Sequence, residues 1–439
     1  MSEGSQVWNR LVCPPKRLLS RLWVIQVYDA LLPVVITLHS FTEGRKPALG
    51  LLVIWMSIRL VNKLVPQFRQ PPWRPPLEAI LLALLLVNTR VIVLREDVDG
   101  PTNFLLIALG FVIGSSQGLR EWRASFGWLA LTPLLLAINI LNRHSAASIL
   151  SSSFVKDVYE AVMDGHGGIN RFATILMLVT LSAAAFSLLA RSLSGRVFGT
   201  TAALAGYALC VGTDSRLAQI APPLALVIGM AAARWKKGFT RFVLFLFGAA
   251  ATAALLVGSW WFLFAPDASI NQSSDLGRLR AGACWLSLMF TGNNRFIYGV
   301  GYGAKANEMC SHLREGGGFG HAHNTIAQVG GQLGLLGILA FLIVVIVISM
   351  GLRRQALSVA CPSGQPRFHL AFFQAAVSLN VLLLLNALAT TIYRSNQVTQ
   401  CLIGFLAATS LCLFTTPAAT TLAAEPPPAA LESSSLGGR

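Results

Sequence analysis

The sequence predicts an all-α polytopic membrane protein of about twelve transmembrane helices with one large external loop region. Three observations carry this prediction. The chain is 54% hydrophobic and only 12% charged, roughly half the charge of an ordinary globular domain, too little to solvate a soluble chain of 439 residues. Apolar runs that approach, with their flanks, the ~20 residues a spanning helix needs recur along the whole sequence. Lys and Arg gather in alternate loops between those runs, the bias that sets membrane orientation. Composition excludes the disulfide-rich, collagen-like and disordered classes. The lack of strand-period alternation argues against a membrane β-barrel.

In chain order the predicted spans are residues 23–38, 48–65, 77–94, 104–115, 128–141, 172–190, 197–211, 217–233, 242–264, 337–350, 370–391 and 401–414. Several cores are short, so their flanks supply the missing turns. With both termini cytoplasmic, one side receives Arg10, Lys16, Arg17 and Arg21, then Arg59, Lys63, Arg69 and Arg74, then Arg120, Arg123, Arg191 and Arg196. The same side takes Arg234, Lys236, Lys237 and Arg241, then Arg353, Arg354 and Arg367. Nearly all of the net charge of +16 falls there. It therefore reads as topology and not as a nucleic-acid surface. Residues 1–414 form one integral membrane domain, and residues 415–439, rich in Pro, Ala and Ser, are predicted to be disordered. No small-residue cleavage site follows the basic N-terminal stretch, so it is not read as a cleavable signal. Asp29, Glu78 and Arg90 fall inside or at the ends of spans, as snorkelling edge residues or helix-pairing groups, and are assigned no role.

Seven cysteines include no CxxC pair. Most fall in or near spans as small apolar filler. Cys284 and Cys310 share one external segment, where an oxidising compartment would allow them to pair; whether they do is left open.

Polar chemistry concentrates between residues 265 and 324, the longest stretch between spans, and such a loop is usually functional. It carries Arg278, Arg280, Arg295, Lys305 and Arg314 with His312, His321 and His323. Two glycine runs, Gly299-Val300-Gly301-Tyr302-Gly303 and Gly316-Gly317-Gly318-Phe319-Gly320, either cradle phosphate with backbone amides or supply plain flexibility. Neither is a P-loop, since no Gly-Lys-Ser/Thr follows. His321 and His323 lack the further ligands a zinc site needs, so no metal is expected. A histidine beside a membrane entrance can act as general base, having an ordinary pKa of about 6.5, or can simply face water. Beyond Asn324 the chain reads Gly330-Gly331 and Gly334-Leu335-Leu336-Gly337, too glycine-rich for a plain span, and predicts an irregular piece packed on other helices. On the same face lie Thr213-Asp214-Ser215-Arg216 and the run from Asp164 to Arg171. Arg216 before an apolar segment must snorkel, pair with Asp214, or bind an anion; its planar fork suits phosphate.

Taken together, Thr213-Asp214-Ser215-Arg216, Gly277-Arg278-Leu279-Arg280, Gly299-Val300-Gly301 and His323-Asn324-x9-Gly334-x-x-Gly337 resemble the bacterial O-antigen ligase and polymerase superfamily of membrane glycosyltransferases. The resemblance is dense over residues 167–350, and the His-Asn-x9-Gly-x-x-Gly spacing is its most specific part. It implies transfer at the periplasmic face of the Gram-negative inner membrane. The donor would be a glycan on undecaprenyl diphosphate and the acceptor a sugar hydroxyl of lipid A–core oligosaccharide, in lipopolysaccharide biosynthesis, with no metal or other cofactor and inversion at the anomeric centre. His323 matches the proposed base, and Arg216 and Arg280 match the diphosphate-holding arginines. His321, Asn324, Asp214 and Arg171 are supporting candidates. Family members place an aromatic residue four positions after the loop Arg; here Trp285 stands five after Arg280. Spacing to Gly299 favours Arg280, and Arg278 stays open.

The rival readings are an O-antigen polymerase, a protein O-oligosaccharyltransferase and a lipid-linked glycan transporter. Protein transferases of this kind often carry a C-terminal extension beyond the last span. Transporters tend to show internal repeats and midplane charges, neither of which the sequence displays.

Overall fold

The computed structural model describes residues 27–40, 44–68, 75–94, 99–143, 169–213, 215–235, 238, 275–292, 294–301, 310, 324–360, 366–389 and 396–412. The predicted span 242–264, the tail 415–439 and most of the stretch 265–324 lie outside them. Every regular element among the described residues is helical. They are α1 (Leu31–His39), α2 (Arg45–Phe68), α3 (Pro75–Leu94), α4 (Asp99–Ser115), α5 (Leu119–Leu129), α6 (Leu131–Arg143), α7 (Ile169–Leu189), α8 (Leu193–Gly212), α9 (Arg216–Arg234), α10 (Asp275–Ser287), α11 (Arg295–Tyr298), α12 (Thr325–Ala360), α13 (Pro366–Ala389) and α14 (Gln397–Ala407). Helices occupy all or part of each predicted span except 242–264. Among the described residues five segments are long and apolar enough to cross a membrane: Leu119–Leu141, which runs across the α5–α6 junction, Arg171–Leu189, Arg216–Arg234, Thr325–Val359 and Arg367–Ala389. The described chain is helical, with segments that could cross a membrane.

At the centre stands α7. Phe172, Ala173, Ile175, Leu176, Met177, Leu178 and Val179 are all buried, and a helix apolar on every side belongs inside a bundle. It packs on α5, α8, α9 and α13. In lipid, helices gain little from apolar burial against one another, so small residues and buried polar bonds hold them together. Gly206 of α8 lies against Thr180 of α7 and Gly199 against Ser187, which makes the two helices antiparallel. Asn386 of α13 donates to Thr174 Oγ1 at 3.1 Å. Gly229 of α9 sits on Gln374 and Ser378 of α13, and Gly404 of α14 meets the backbone of Ile107 in α4.

Two polar contacts fasten the end of the bundle away from α7's first turn. Gln355 of α12 donates to the carbonyls of Thr409, Ser410 and Cys412, at 2.7, 3.1 and 3.0 Å. These are carbonyls that a helix terminus leaves without an internal partner. Asp29, given no role from sequence, forms a buried ion pair with Arg59. It also accepts from Arg59 Nε at 3.0 Å, Trp55 Nε1 at 3.1 Å and Ser125 Oγ at 2.8 Å. A buried charge persists in such a place only when paired and hydrogen-bonded. This cluster ties α2 and α5 to the turn preceding α1.

Candidate functional site

Five helix ends meet at one end of the bundle. Because α7 and α8 are antiparallel, the end of α8 at Thr213 lies beside the start of α7 at Arg171. Thr174 bonds Asn386, so the end of α13 lies there too. Asn324 Nδ2 donates to the carbonyl of Leu388 at 2.8 Å, which fixes the start of α12 against the end of α13. Arg216 opens α9 three residues after Thr213. Arg171, Arg216 and Asn324 thus stand at the same end of the bundle, and both arginines are exposed. His321, His323 and Asp214 lie outside the described residues; His323 directly precedes Asn324, and Asp214 directly follows Thr213.

Asn324 is an N-cap. Its Oδ1 accepts from Ala327 N–H at 3.0 Å, satisfying one donor that a helix start leaves orphaned. With Nδ2 on Leu388 and Oδ1 on its own helix, Asn324 fixes both the position and the direction of the segment that follows.

That segment is not one continuous helix. Gly334 has φ +65 and ψ −152 inside α12, a conformation that disfavours any side chain. The kink divides α12 into an arm, residues 325–333, and a long helix, residues 335–360. The arm folds back. A Cβ at Gly337 would lie 2.7 Å from Val329 Cγ1, although residues eight apart in a straight helix are about 12 Å apart. Gly337 is therefore small because the returning arm passes over it.

The Gly299-Val300-Gly301 run clamps this kink. Where a helix breaks, its last carbonyls need outside partners. Val300 N–H donates to Gly331 O at 2.8 Å and Gly301 N–H to Gln332 O at 3.0 Å. Gly299 has φ +67, and a Cβ there would strike the Gln332 carbonyl. A Cβ at Gly334 would stand 2.6 Å from Gly299 N, so the two left-handed glycines face each other. This corrects both sequence readings for residues 299–301 of the run; residues 302 and 303 lie outside the described residues. The amides of Val300 and Gly301 are spent on protein carbonyls, so they neither cradle phosphate nor merely supply flexibility.

Behind the arm lies α10, so the stretch 265–324 includes a packed helix as well as loop. Trp285 is fully buried, with its carbonyl against Gly331. Cys284 and Cys310 are disulfide-bonded, which settles the pairing that the sequence left open. Arg278 and Arg280 both lie on α10. Two positions apart on a helix, they occupy different faces; their side chains lie outside the described residues.

Three further candidate residues were missed from sequence. Thr325, Gln328 and Gln332 are all buried on the arm at spacings of three and four, one helical face. A polar face at helical spacing beside a glycine-rich break was the available signal. Buried polar groups cost free energy unless hydrogen-bonded, which makes this face a candidate part of the site.

No family model matches the chain, and no curated protein matches it.

Proposed function

We propose that this chain is a glycosyltransferase of the O-antigen ligase type. It would transfer a glycan from undecaprenyl diphosphate to a sugar hydroxyl of lipid A–core oligosaccharide at the periplasmic face of the inner membrane. The observation that carries the reading is the form of the His-Asn-x9-Gly-x-x-Gly segment. Asn324 caps and tethers it, Gly334 kinks it, and it begins at the end of the bundle where Arg171 and Arg216 converge. Irregular backbone at membrane depth is tolerated where protein buries it or where it lines a cavity, so a built kink of this kind suits a site.

Twelve spans with both termini cytoplasmic fit the helix directions. That topology requires α7 and α8 to be antiparallel, and α7 and α13 likewise. It also requires Arg171, Thr213, Arg216, Leu388 and Asn324 to share one face. The Cys284–Cys310 disulfide supports placing that face in an oxidising compartment, as the periplasm is.

A sugar hydroxyl is a poor nucleophile, so His323 takes its proton. The oxygen attacks the anomeric carbon opposite the diphosphate. The bond from that carbon to the diphosphate oxygen breaks, and undecaprenyl diphosphate leaves. Arg216 with Arg280, or with Arg278 on the other face of α10, stabilises the charge that develops on the leaving group. No metal is needed for that charge. His321, Asp214 and Arg171 support this arrangement, and Asn324 positions the residue before it.

Expression of wild type and His323→Ala in a ligase-deficient Gram-negative host, with a compatible core and lipid-linked glycan, tests the reading. Glycan-capped lipopolysaccharide from wild type but not from the variant, at equal membrane abundance, is the expected result. No capping by wild type in such a host would overturn it.

A further inference from the structure

At the opposite end of α7 the fold crowds three arginines. Gly127 of α5 packs against the Phe186 ring of α7, which would be 3.0 Å from a Cβ at that position. Arg123 stands one turn before Gly127, and Arg191 stands just over a turn after Phe186. The charges of Arg191 and Arg120 both act on Arg123, as antiparallel packing of α5 and α7 requires. Arg120 and Arg123, three apart, share one face of α5. The Arg191 guanidinium lies over the ring of Phe368, 5.7 Å from its centroid, which brings in the first turn of α13. The cluster is therefore positioned by contacts among three helices.

Among the described residues no ion pair neutralises it. Both α5 arginines stand near a helix N-terminus, where the macrodipole disfavours cations. Glu121, between them, accepts from Gly118 N–H through Oε2 at 3.0 Å and so caps its own helix. Among the described residues no carboxylate forms an ion pair with Arg120, Arg123 or Arg191. Like charges so placed repel unless an anion joins them. All three lie at the ends of membrane-length apolar segments, Leu119–Leu141 and Arg171–Leu189, the level at which lipid headgroups sit. Arginine forks bind phosphate oxygens in pairs.

We propose that Arg120, Arg123 and Arg191 form a binding site for the phosphate of an anionic phospholipid headgroup. The site is independent of the transfer chemistry, and its failure would leave that reading untouched.

The test is native mass spectrometry of the purified full chain in detergent, titrated with phosphatidylglycerol or with phosphatidylcholine of the same acyl chains. Wild type should retain phosphatidylglycerol in preference. Each of Arg120→Gln, Arg123→Gln and Arg191→Gln should weaken that binding about fivefold, and the triple variant should lose the preference. The single variants carry the result even if the triple variant does not fold. Arg353→Gln/Arg354→Gln removes two exposed charges from another helix end and should change nothing. An undiminished preference in the triple variant would overturn the site, as would an equal loss in the Arg353/Arg354 variant, which would mark diffuse attraction. Displacement of the lipid by millimolar inorganic phosphate would overturn the headgroup assignment in favour of a free-phosphate site.

Discussion

Two helices at the heart of the molecule are built on opposite plans. Helix α7 is unbroken and buried on successive positions by apolar side chains, with Thr174 and Thr180 among its few polar contacts. The α12 arm is short, kinked at Gly334, and carries buried Thr325, Gln328 and Gln332. Both are enclosed, so burial alone does not distinguish them. The difference lies in what each asks of its surroundings. Helix α7 satisfies its own backbone and needs only close packing. The arm needs an asparagine cap, a tether to Leu388, two amides from the Gly299-Val300-Gly301 run and the carbonyl of Trp285 pressed against Gly331. A chain that supports so irregular a piece from four directions is positioning something, whereas α7 is scaffold.

This contrast can be broken by substitution. Leu176→Ala in α7 removes a fully buried side chain and should cost about 2–5 kcal/mol. It should lower the membrane abundance and melting temperature of the protein while transfer per folded molecule stays near wild type. Cys284→Ser removes the disulfide and should cost about 3 kcal/mol. Reductant should lower the melting temperature of wild type and leave that of the variant unchanged. Gly334→Ala puts a side chain on a left-handed residue, at about 1–2 kcal/mol, and sets a Cβ 2.6 Å from Gly299 N. Its stability loss should be smaller than that of Leu176→Ala and its loss of transfer far larger, at least tenfold per molecule. Asn324→Ala deletes a cap worth about 1 kcal/mol and the bond to Leu388. Its melting temperature should fall least of the four, yet transfer should still drop, because the arm loses its direction.

Much of this was legible in the sequence where the signal was local. Apolar runs and alternating basic loops marked the helices, since periodicity and charge bias act over a few turns. The glycines at 330, 331, 334 and 337 announced a break in α12 for the same reason. Non-local partnerships were hidden. Nothing near Gly299 says that its neighbours' amides will meet the carbonyls of Gly331 and Gln332, about thirty residues on. Nothing near Asp29 names Arg59, because their pairing depends on how α2 packs against α1 and the turn before it. The choice between Arg278 and Arg280 stayed open because sequence spacing alone does not orient α10 against the arm.

The most direct measurement is glycan-capped lipopolysaccharide per molecule of membrane-inserted protein, compared between Gly334→Ala and Leu176→Ala in the same ligase-deficient host. The predicted result is loss of capping in Gly334→Ala at ample protein and near-normal capping per molecule in Leu176→Ala. Equal capping per molecule in the two variants would contradict the separation of positioned arm from scaffold.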